Sequence, residues 1–377
     1  MNWKDPRKRT NKLPPPFSDQ DKIFMDAALD LGRRGLGRVW PNPAVGCVLT
    51  KGNQIIGSGW TGNGGRPHAE FEALKMAAGA ALGATAYVTL EPCAHEGETP
   101  SCARLLAEAG VRKVIITHSD PDPRTSGRGV AMLENAGVPV TQGLMEKEAR
   151  ALNKGFFLKT EAGRPLVALK VAASADGKIA AEENVETLIT GEEAHTFSHQ
   201  LRASFDAILV GIGTVLADDP DLTCRLPGLE DASPVRIVLD SDLRIPEKSK
   251  LVASAREVPL WVITQGHGFP LKFSRKGVKI LPVSDIRNIS EVIEMFARKG
   301  ITRLLVEGGA AVNTSFYESG LVDQVYGIQA PHMNIGASGV PAFRGLDIQA
   351  SGDLEGFRLS ESHELGHDIV EILDKMD

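Results

Sequence analysis

The chain has 377 residues, which is enough for two domains, and its hydrophobic share of 42% and charged share of 24% are ordinary for a globular protein. The formal net charge of −6 gives no overall attraction to nucleic acid or anionic membranes, and no apolar run approaches the roughly 20 residues of a membrane helix. Four cysteines are too few for a disulfide scaffold, so we expect a protein of the reducing cytoplasm.

The N-terminal segment, residues 1–20, is basic and contains three consecutive prolines at 14–16. It lacks the apolar core of a secretion signal. We expect a disordered, solvated tail, and a nucleic-acid or targeting role is the alternative.

From residue 21 onward, short apolar strands alternate with helical patterns. The predicted elements, in chain order, are a helix over 23–31, strands over 44–49 and 54–60, a helix over 68–78, a strand over 86–90, a helix from Pro100 to Gly110 with Thr99 as its N-cap, a strand over 113–117, a helix over 129–135, a strand over 138–140 and a helical stretch over 145–159. This alternation predicts a first α/β domain over residues 21–163, in which helices cover a sheet.

A Gly-Arg-Pro segment at 163–165 marks the expected boundary, and the pattern after it is again α/β. The second domain, residues 164–377, is predicted to contain strands over 166–172, 207–210, 236–240, 260–264, 278–282 and 303–306, and helices over 192–203, 290–299 and 313–319. The halves share no internal repeat, so they are two different domains.

Three stretches of the first domain combine residue types that bind zinc: a His-x-Glu segment, a Pro-Cys pair and a later cysteine. One histidine and two cysteines suit a tetrahedral zinc and leave the fourth position for water, which is the catalytic arrangement. Zinc lowers the pKa of such a water from about 16 to about 7, and a base must then move its proton. Glu70 stands where nucleobase deaminases carry the glutamate that shuttles protons. We therefore predict one catalytic zinc held by His68, Cys93 and Cys102.

The predicted elements are compatible with a single metal. Cys93 follows a strand, and Cys102 falls in the first turn of the next helix, whose N-terminus would favour a thiolate there. His68 is expected at the start of its helix, because residues two apart share no helix face. A structural zinc is the alternative, but it normally has four protein ligands, and with His95 as the fourth Glu70 would have no role. Cys47 lies in an apolar strand and is expected to pack in the core.

Two strands of the second domain are followed by glycines, at 211–213 and at 308–309. Backbone amides in such turns can approach a cofactor phosphate. Neither turn is a complete G-x-G-x-x-G motif, and simple chain reversal is the alternative. Lys170 lies within an apolar strand, where a lysine needs a specific reason to be buried.

Taken in order, these motifs resemble the bifunctional deaminase/reductase family of riboflavin biosynthesis. The matching segments are PNPAVGCV at 41–48, HAE at 68–70, TLEPCAHEGETPSC at 89–102, DPDP at 120–123, GRG at 127–129 and LNKGF at 152–156. Eight residues separate Cys93 from Cys102, whereas tRNA adenosine and cytidine deaminases use a C-x-x-C spacing. The resemblance extends from about Asp21 to about Ala330.

The resemblance implies a cytidine-deaminase-like α/β/α domain followed by a domain similar to dihydrofolate reductase. It implies hydrolysis of the 2-amino group of 2,5-diamino-6-ribosylamino-4(3H)-pyrimidinone 5′-phosphate, then reduction of its ribosyl group to ribityl by NADPH. Asn42 and His95 would contact the pyrimidine, although Asn42 between two prolines is equally well explained as a turn residue. It also implies a homo-oligomer assembled through reductase domains. From the net charge and the lack of a membrane-length apolar run we expect no nucleic-acid or membrane partner.

The resemblance also assigns positions in the reductase domain. The cofactor positions are Ala172, Thr214, Asp218, Ser241, Gly309, Ala310, Ala311, Val312, Asn313, Thr314 and Ser315. The substrate positions are Lys170, Glu186, Arg202, Leu222, Arg225 and Glu307. The two arginines would hold the ribose phosphate, with a surface ion pair as the alternative for each, and the lysine and Glu307 would assist ring opening or proton delivery.

Several positions depart from the family pattern. Glu98 replaces a common arginine, Glu186 a common serine and Leu188 a common tryptophan, and residues 331–337 differ from the usual Pro-Lys segment. These departures leave a deaminase with a decayed or repurposed reductase domain as an alternative, for which failure to bind NADPH would be the evidence. A nucleic-acid base deaminase is a second alternative, but it needs a basic face and no second α/β domain.

Overall fold

The computed structural model describes residues 17–96, 100–123, 125–183, 185, 187–265 and 271–376. Contacts within the chain divide it into two compact units. Of the described residues, the first unit contains those up to Arg34 together with Val45–Thr61 and Pro67–Leu152, and the second contains Gly35–Ala44, Gly62–Arg66 and those from Asn153 onward. In the part of the chain described, no helix is both long and apolar enough to span a membrane.

The first unit is built around a five-stranded sheet in the order β2-β1-β3-β4-β5. Its strands are β1 Gly46–Lys51, β2 Gln54–Trp60, β3 Thr85–Val88, β4 Lys113–Ile116 and β5 Val140–Gln142. Its helices are α1 Asp19–Arg33, α2 Ala69–Ala77, α3 Cys102–Glu108, α4 Arg128–Asn135 and α5 Glu146–Leu152. Strand β1 is antiparallel to β2 and β3, whereas β3, β4 and β5 run parallel.

Both faces of this sheet are covered. Ile115 of β4 belongs to a cluster with Phe24 and Met25 of α1, while its neighbours Val114 and Ile116 are equally buried and point to the opposite face. Helix α1 begins with a capping box between Ser18 and Asp21, which uses the first free N–H groups of the helix. The α/β prediction is confirmed for this unit.

The first of the differences from the sequence prediction is the start of α3. Helix α3 begins at Cys102 after Ser101, not at Pro100, because the turn at Cys93 accepts the N–H groups of Cys102 and Ala103. Thr99, its expected N-cap, lies outside the described residues.

The predicted helical stretch over 145–159 is interrupted at Asn153, which separates α5 from α6, Lys154–Ala162. The buried Asn153 amide accepts from the Ala44 N–H at 2.8 Å and donates to the Ala44 carbonyl at 3.0 Å. The contacts group α6 with the second unit, whereas the sequence places it at the end of the first domain. The boundary at residue 163 stays a prediction.

The second unit contains a nine-stranded sheet in the order β11-β10-β9-β8-β12-β6-β13-β16-β15 and a small ribbon of β14 and β7. Its strands are β6 Leu166–Ser174, β7 Lys178–Ala180, β8 Ala207–Gly211, β9 Val235–Leu239, β10 Leu260–Thr264, β11 Val278–Pro282, β12 Arg303–Val306, β13 Gln324–Ala330, β14 Val340–Pro341, β15 Phe357–Leu365 and β16 Asp368–Lys375. Besides α6, its helices are α7 Glu192–Ala203, α8 Ile212–Asp218, α9 Lys250–Ala253, α10 Leu271–Arg275, α11 Ile289–Arg298 and α12 Ala310–Glu318.

The large sheet is parallel from β11 to β13, and β16 and β15 extend it with antiparallel pairs. Strand β6 sends Val167 and Leu169 into one buried cluster and Leu166 and Ala168 into the other. Helices α11 and α12 contribute to the first cluster, and α7, α8 and α9 to the second. A parallel sheet with both faces covered places its strand ends, and the turns that follow them, along one edge.

Candidate functional site

The imidazole and the two sulfurs of the predicted zinc ligands lie together. His68 is the N-cap of α2, Cys93 lies in the turn after β3, and Cys102 opens α3. Their ligand atoms are all within 4.8 Å of one another. His68 Nδ1 lies 3.3 Å from Cys102 Sγ and 3.6 Å from Cys93 Sγ. Three such donors fit one tetrahedral zinc with one position left for another ligand.

Hydrogen bonds from neighbouring groups converge on the Cys93 sulfur. A hydrogen bond from Cys102, with further bonds from His68 and the Cys102 N–H, outweighs burial and lowers the pKa of Cys93 to about 4. The same bond and burial raise the pKa of the Cys102 thiol. The N-terminus of α3 lies against both sulfurs, since the Cys102 N–H donates to Cys93 Sγ at 3.4 Å, and a bound zinc would take both cysteines as thiolates.

Glu70 is the buried acid of the site. It lies in the first turn of α2, and its side chain is only 3% exposed. Burial raises its pKa, although the neighbouring charge of His68 opposes the shift. A carboxyl group in this environment can exchange a proton with a bound reactant. Cys47 lies in the core on β1, where burial raises the pKa of its thiol.

Asn42 and His95, the predicted pyrimidine contacts, are described by the structure only in their own surroundings. His95 is exposed in the segment after Cys93. Asn42 belongs to a segment that groups with the second unit, where an added Cβ on Gly65 would overlap its side chain. The roles of Asn42 and His95 stay predictions, and Glu98 lies outside the described residues.

A cavity of about 420 Å³ opens in the second unit at the ends of β6, β8 and β12. The residues predicted for the cofactor or substrate that line it are Lys170, Ala172, Thr214, Asp218, Gly309, Ala310, Ala311 and Val312. His195 on α7 also lines it and was missed, because nothing in the local sequence separates it from an exposed helix residue. Leu188, the departure from the family pattern, lines the cavity and is 75% exposed.

Glycines form part of the cavity wall. A Cβ added at Gly213 would meet no atom within 4 Å, and one at Gly309 would meet only Thr214 Oγ1, at 3.6 Å. By contrast, a Cβ at Gly308 would lie 2.5 Å from the Val312 side chain, so that glycine permits close packing of α12. The space beside Gly213 and Gly309 is open, so a cofactor phosphate could approach the backbone amides there.

Lys170, Arg202 and Glu307 form a buried ion cluster. Arg202 donates from Nε and Nη2 to the two carboxylate oxygens of Glu307, at 2.9 and 2.8 Å. Lys170 Nζ lies 3.5 Å from the same carboxylate. Burial raises the pKa of Glu307, but the charges and hydrogen bonds of both cations outweigh it and lower the pKa to about 2. The carboxylate is therefore ionised at neutral pH.

The loop over residues 219–225 carries two of the predicted substrate contacts, Leu222 and Arg225. Leu222 has a positive φ of 55°, and its side chain is buried. Arg225 pairs with Asp221 at 3.7 Å, and the loop is not among the residues lining the cavity.

A histidine that the sequence analysis missed anchors this loop. His199 Nδ1 on α7 lies 3.1 Å from the Thr223 carbonyl and 3.3 Å from the Arg225 N–H. Burial and the nearby charges of Arg202 and Arg225 lower the pKa of His199. No local motif could have identified it, because its partners lie about two dozen residues further along the chain.

Four predicted cofactor positions do not line the cavity. Asn313 is buried, and its amide donates to the Ala342 carbonyl at 3.0 Å, while Thr314 Oγ1 accepts from the Arg344 N–H at 2.7 Å. Ser315 bonds back to the carbonyl of Ala311. Ser241 lies after β9, where its carbonyl accepts from Thr264 Oγ1. Their cofactor roles stay predictions, and Glu186 lies outside the described residues.

Together, the fold and these two sites define a protein with a zinc-binding deaminase domain followed by a reductase domain. A family model for the cytidine and deoxycytidylate deaminase zinc-binding region matches residues 18–118, and one for the RibD C-terminal domain matches residues 165–371. The riboflavin biosynthesis protein RibD of Bacillus amyloliquefaciens is 40% identical over 353 residues, covering 93% of this chain and 95% of that protein. The Escherichia coli K12 protein of that name is 37% identical over 368 residues, covering 93% and 98%.

Solved structures agree with these relatives. RibD of Acinetobacter baumannii superposes with a TM-score of 0.85 at 35% identity, covering 95% of this chain and 99% of that one. The diaminohydroxyphosphoribosylaminopyrimidine deaminase/5-amino-6-(5-phosphoribosylamino)uracil reductase of Thermotoga maritima gives 0.83 at 32% identity, with the same coverage. The chain belongs to the RibD family, the bifunctional enzymes of riboflavin biosynthesis. Zinc and NADPH are the cofactors of its two activities, and its substrate is a small molecule.

Proposed function

We propose that this chain deaminates 2,5-diamino-6-ribosylamino-4(3H)-pyrimidinone 5′-phosphate and then reduces the ribosyl group of the product to ribityl. The domains proposed for the two steps are residues 21–163 and 164–377. The observation that carries the first step is the convergence of His68, Cys93 and Cys102 within 4.8 Å beside the buried Glu70. The two activities named for the Thermotoga maritima relative support the substrate of each step.

In the deaminase step, His68, Cys93 and Cys102 are the proposed zinc ligands. Zinc, when bound, supplies Lewis-acid activation of a water molecule. Glu70 accepts the proton of that water, delivers it to the ring nitrogen, and assists transfer of a proton to the departing ammonia. Its burial favours the protonated form, so the acid can return the proton after accepting it. Asn42 and His95 are proposed to orient the pyrimidine.

In the reductase step, NADPH supplies the hydride when bound in the cavity of the second unit. The proposed cofactor contacts are Ala172, Thr214, Asp218, Ser241 and the segment over 309–315. Lys170 lines the cavity and is proposed to deliver a proton to the sugar oxygen during ring opening, while Glu307, itself oriented by Arg202, holds the Lys170 ammonium in place. Arg202 and Arg225 are proposed to hold the ribose phosphate, with Leu222 and Glu186 as further substrate contacts.

The departures at Leu188 and at residues 331–337 do not remove the parts that the second step needs. The ion cluster is intact, and the glycine wall leaves the cavity open. We therefore favour an active reductase over a decayed one. We also propose a cytoplasmic homo-oligomer assembled through reductase domains, in line with four cysteines that form no disulfide.

The experiment that tests this function supplies the diaminopyrimidinone phosphate with and without NADPH and identifies the products by mass spectrometry. We expect ammonia release without NADPH and a ribityl product only with it. In Glu70→Gln, deamination should fall by about three orders of magnitude while the zinc content stays at one per chain. Deamination at the wild-type rate in Glu70→Gln would overturn the role of Glu70, and no ribityl product would overturn the reductase.

A further inference from the structure

A buried carboxylate that the mechanism does not use lies two residues before Cys93. Glu91 follows β3 and is 6% exposed. The Glu91 N–H donates to the His118 carbonyl at 3.0 Å, and this bond ties the backbone of Glu91 to the segment that follows β4. The side chain therefore starts from a fixed point at the sheet edge, next to the turn that carries the proposed zinc ligand.

Four backbone N–H groups donate to this one carboxylate. One oxygen accepts from Gly129 at 2.9 Å and Val130 at 3.2 Å, in the first turn of α4. The other accepts from Gly127 at 2.9 Å and Asp120 at 3.1 Å, in the loop before that helix. All four donors belong to residues 120–130, so Glu91 ties this segment and the N-terminus of α4 to the end of β3. A carboxylate at a helix N-terminus also stabilises the positive end of the helix dipole.

The same helix turn packs directly on the residue before Cys93. A Cβ added at Gly129 would lie 1.8 Å from the Pro92 carbonyl oxygen, so this approach requires glycine. On its other side, the Cys93 carbonyl accepts from the Ala103 N–H at 3.1 Å. The turn at 92–93 is thus held between the starts of α3 and α4, and Glu91 supplies the bonds on the α4 side.

We propose that Glu91 is a positioning residue of the deaminase site, which fixes the turn at 92–93 so that the Cys93 sulfur stays within reach of His68. The proposal rests on the proposed zinc-ligand role of Cys93. Groups that orient metal ligands commonly change metal affinity by one to two orders of magnitude when they are removed. Glu91 acts on the turn that carries the ligand, and it contacts neither substrate nor metal in this assignment.

The test uses the full-length enzyme with Glu91→Gln, which keeps the size of the side chain but replaces one acceptor oxygen by an amide that only donates. Two of the four N–H groups then lose their acceptor. We expect zinc to be released to a competing chelator at least about tenfold faster, and the thiolate-to-cobalt band of the Co²⁺-substituted enzyme to shift. The reductase activity of the same sample reports on the rest of the chain and should be unchanged.

A matched control separates positioning from loss of stability. Asp21 is a carboxylate of the same unit that accepts from the Ser18 N–H at 2.8 Å and the Tyr87 hydroxyl at 2.7 Å. Asp21→Asn should lower the melting temperature while leaving zinc release and the Co²⁺ spectrum as in the wild type. Glu91→Asp, whose shorter carboxylate can still accept two bonds, should give an intermediate release rate and is the variant to use if Glu91→Gln does not fold.

The outcomes are distinguishable. A wild-type enzyme without a thiolate-to-cobalt band would overturn the proposed zinc site itself. A normal wild-type band together with wild-type zinc release in both Glu91 variants would overturn the positioning role alone. Equal acceleration of zinc release by Asp21→Asn would also overturn it, because general loss of stability would then explain the effect.

Discussion

Arg202 donates two parallel hydrogen bonds, of 2.9 and 2.8 Å, to the carboxylate of Glu307. The carboxylate oriented in this way also contacts the ammonium of Lys170. Paired nitrogens on one carboxylate fix its orientation more firmly than a single contact does. Lys170 lines the cavity, and it is the group of the cluster that can meet a ligand bound there. The proton-delivery role proposed for Lys170 in the reductase step depends on this arrangement.

Replacement of Lys170 tests that role. In Lys170→Met, the proton donor is lost, and we expect kcat for NADPH oxidation to fall by roughly two orders of magnitude with a small change in KM for NADPH. Steady-state kinetics with the deaminated substrate measures both constants. Lys279→Met on the exposed side of β11 is the matched control. Retention of more than half of the wild-type kcat in Lys170→Met would exclude the proton-delivery role.

Acid stability should report the ion cluster. The pKa of Glu307 in the folded protein, about 2, lies below its ordinary value of 4.5, so its contribution is complete above about pH 4.5 and is lost as the pH falls toward 2. We expect the difference in unfolding free energy between the wild type and Glu307→Gln to be constant above that window and to shrink within it. Urea unfolding of both proteins across this range gives the difference. A difference that does not change with pH would show that the carboxylate is not stabilised by its partners.

His199 should govern binding of the reductase substrate. His199→Ala removes the ring that holds the loop over 219–225, and we expect KM for the phosphorylated substrate to rise about tenfold while deamination is unaffected. Burial and the charges of Arg202 and Arg225 lower the pKa of His199, so the ring is uncharged at pH 7 and anchors the loop without a positive charge of its own. His363→Ala on β15 is the control, and an unchanged KM in His199→Ala would refute the anchoring role.

The glycine wall gives a prediction about cofactor binding. A Cβ at Gly213 meets no protein atom within 4 Å, so Gly213→Val should fold normally and place its methyl groups in the space assigned to NADPH. We expect the dissociation constant for NADPH to rise at least about tenfold at an unchanged melting temperature, as measured by fluorescence titration. Gly352→Val, also at an uncrowded position but away from the cavity, is the control. An unchanged dissociation constant for NADPH in Gly213→Val would show that the cofactor does not bind beside Gly213.

The zinc ligands and the α/β architecture could be predicted because their signals are local. His68 and Glu70 are two residues apart at a helix start, and Cys93 and Cys102 flank one loop, so residue type and order carried the information. A joint role for Lys170 and Glu307 was also expected; the structure places the two side chains 3.5 Å apart, and the role itself stays a prediction. That expectation came from the family resemblance and from a lysine placed in an apolar strand.

What the sequence did not predict depends on contacts between distant residues. Strand β15 is polar and exposed along almost its whole length, so it carries no alternation, and it exists because it pairs with β16. Helix α8 was interpreted as a glycine turn because Gly213 lies inside it. The contacts of Glu91 and His199 could not be predicted, because their partners are backbone groups brought together only by the fold.

X-ray absorption at the zinc edge of the purified full-length enzyme tests the central claim most directly. We expect one zinc per chain, bound by two sulfurs and one imidazole nitrogen and by one further light ligand that is not protein. Cys93→Ser and Cys102→Ser should each remove one sulfur from this shell, whereas Cys224→Ser, a cysteine of the second unit, should leave it unchanged. A zinc with four protein ligands, or a sulfur count that neither of the first two variants lowers, would contradict the proposed deaminase site.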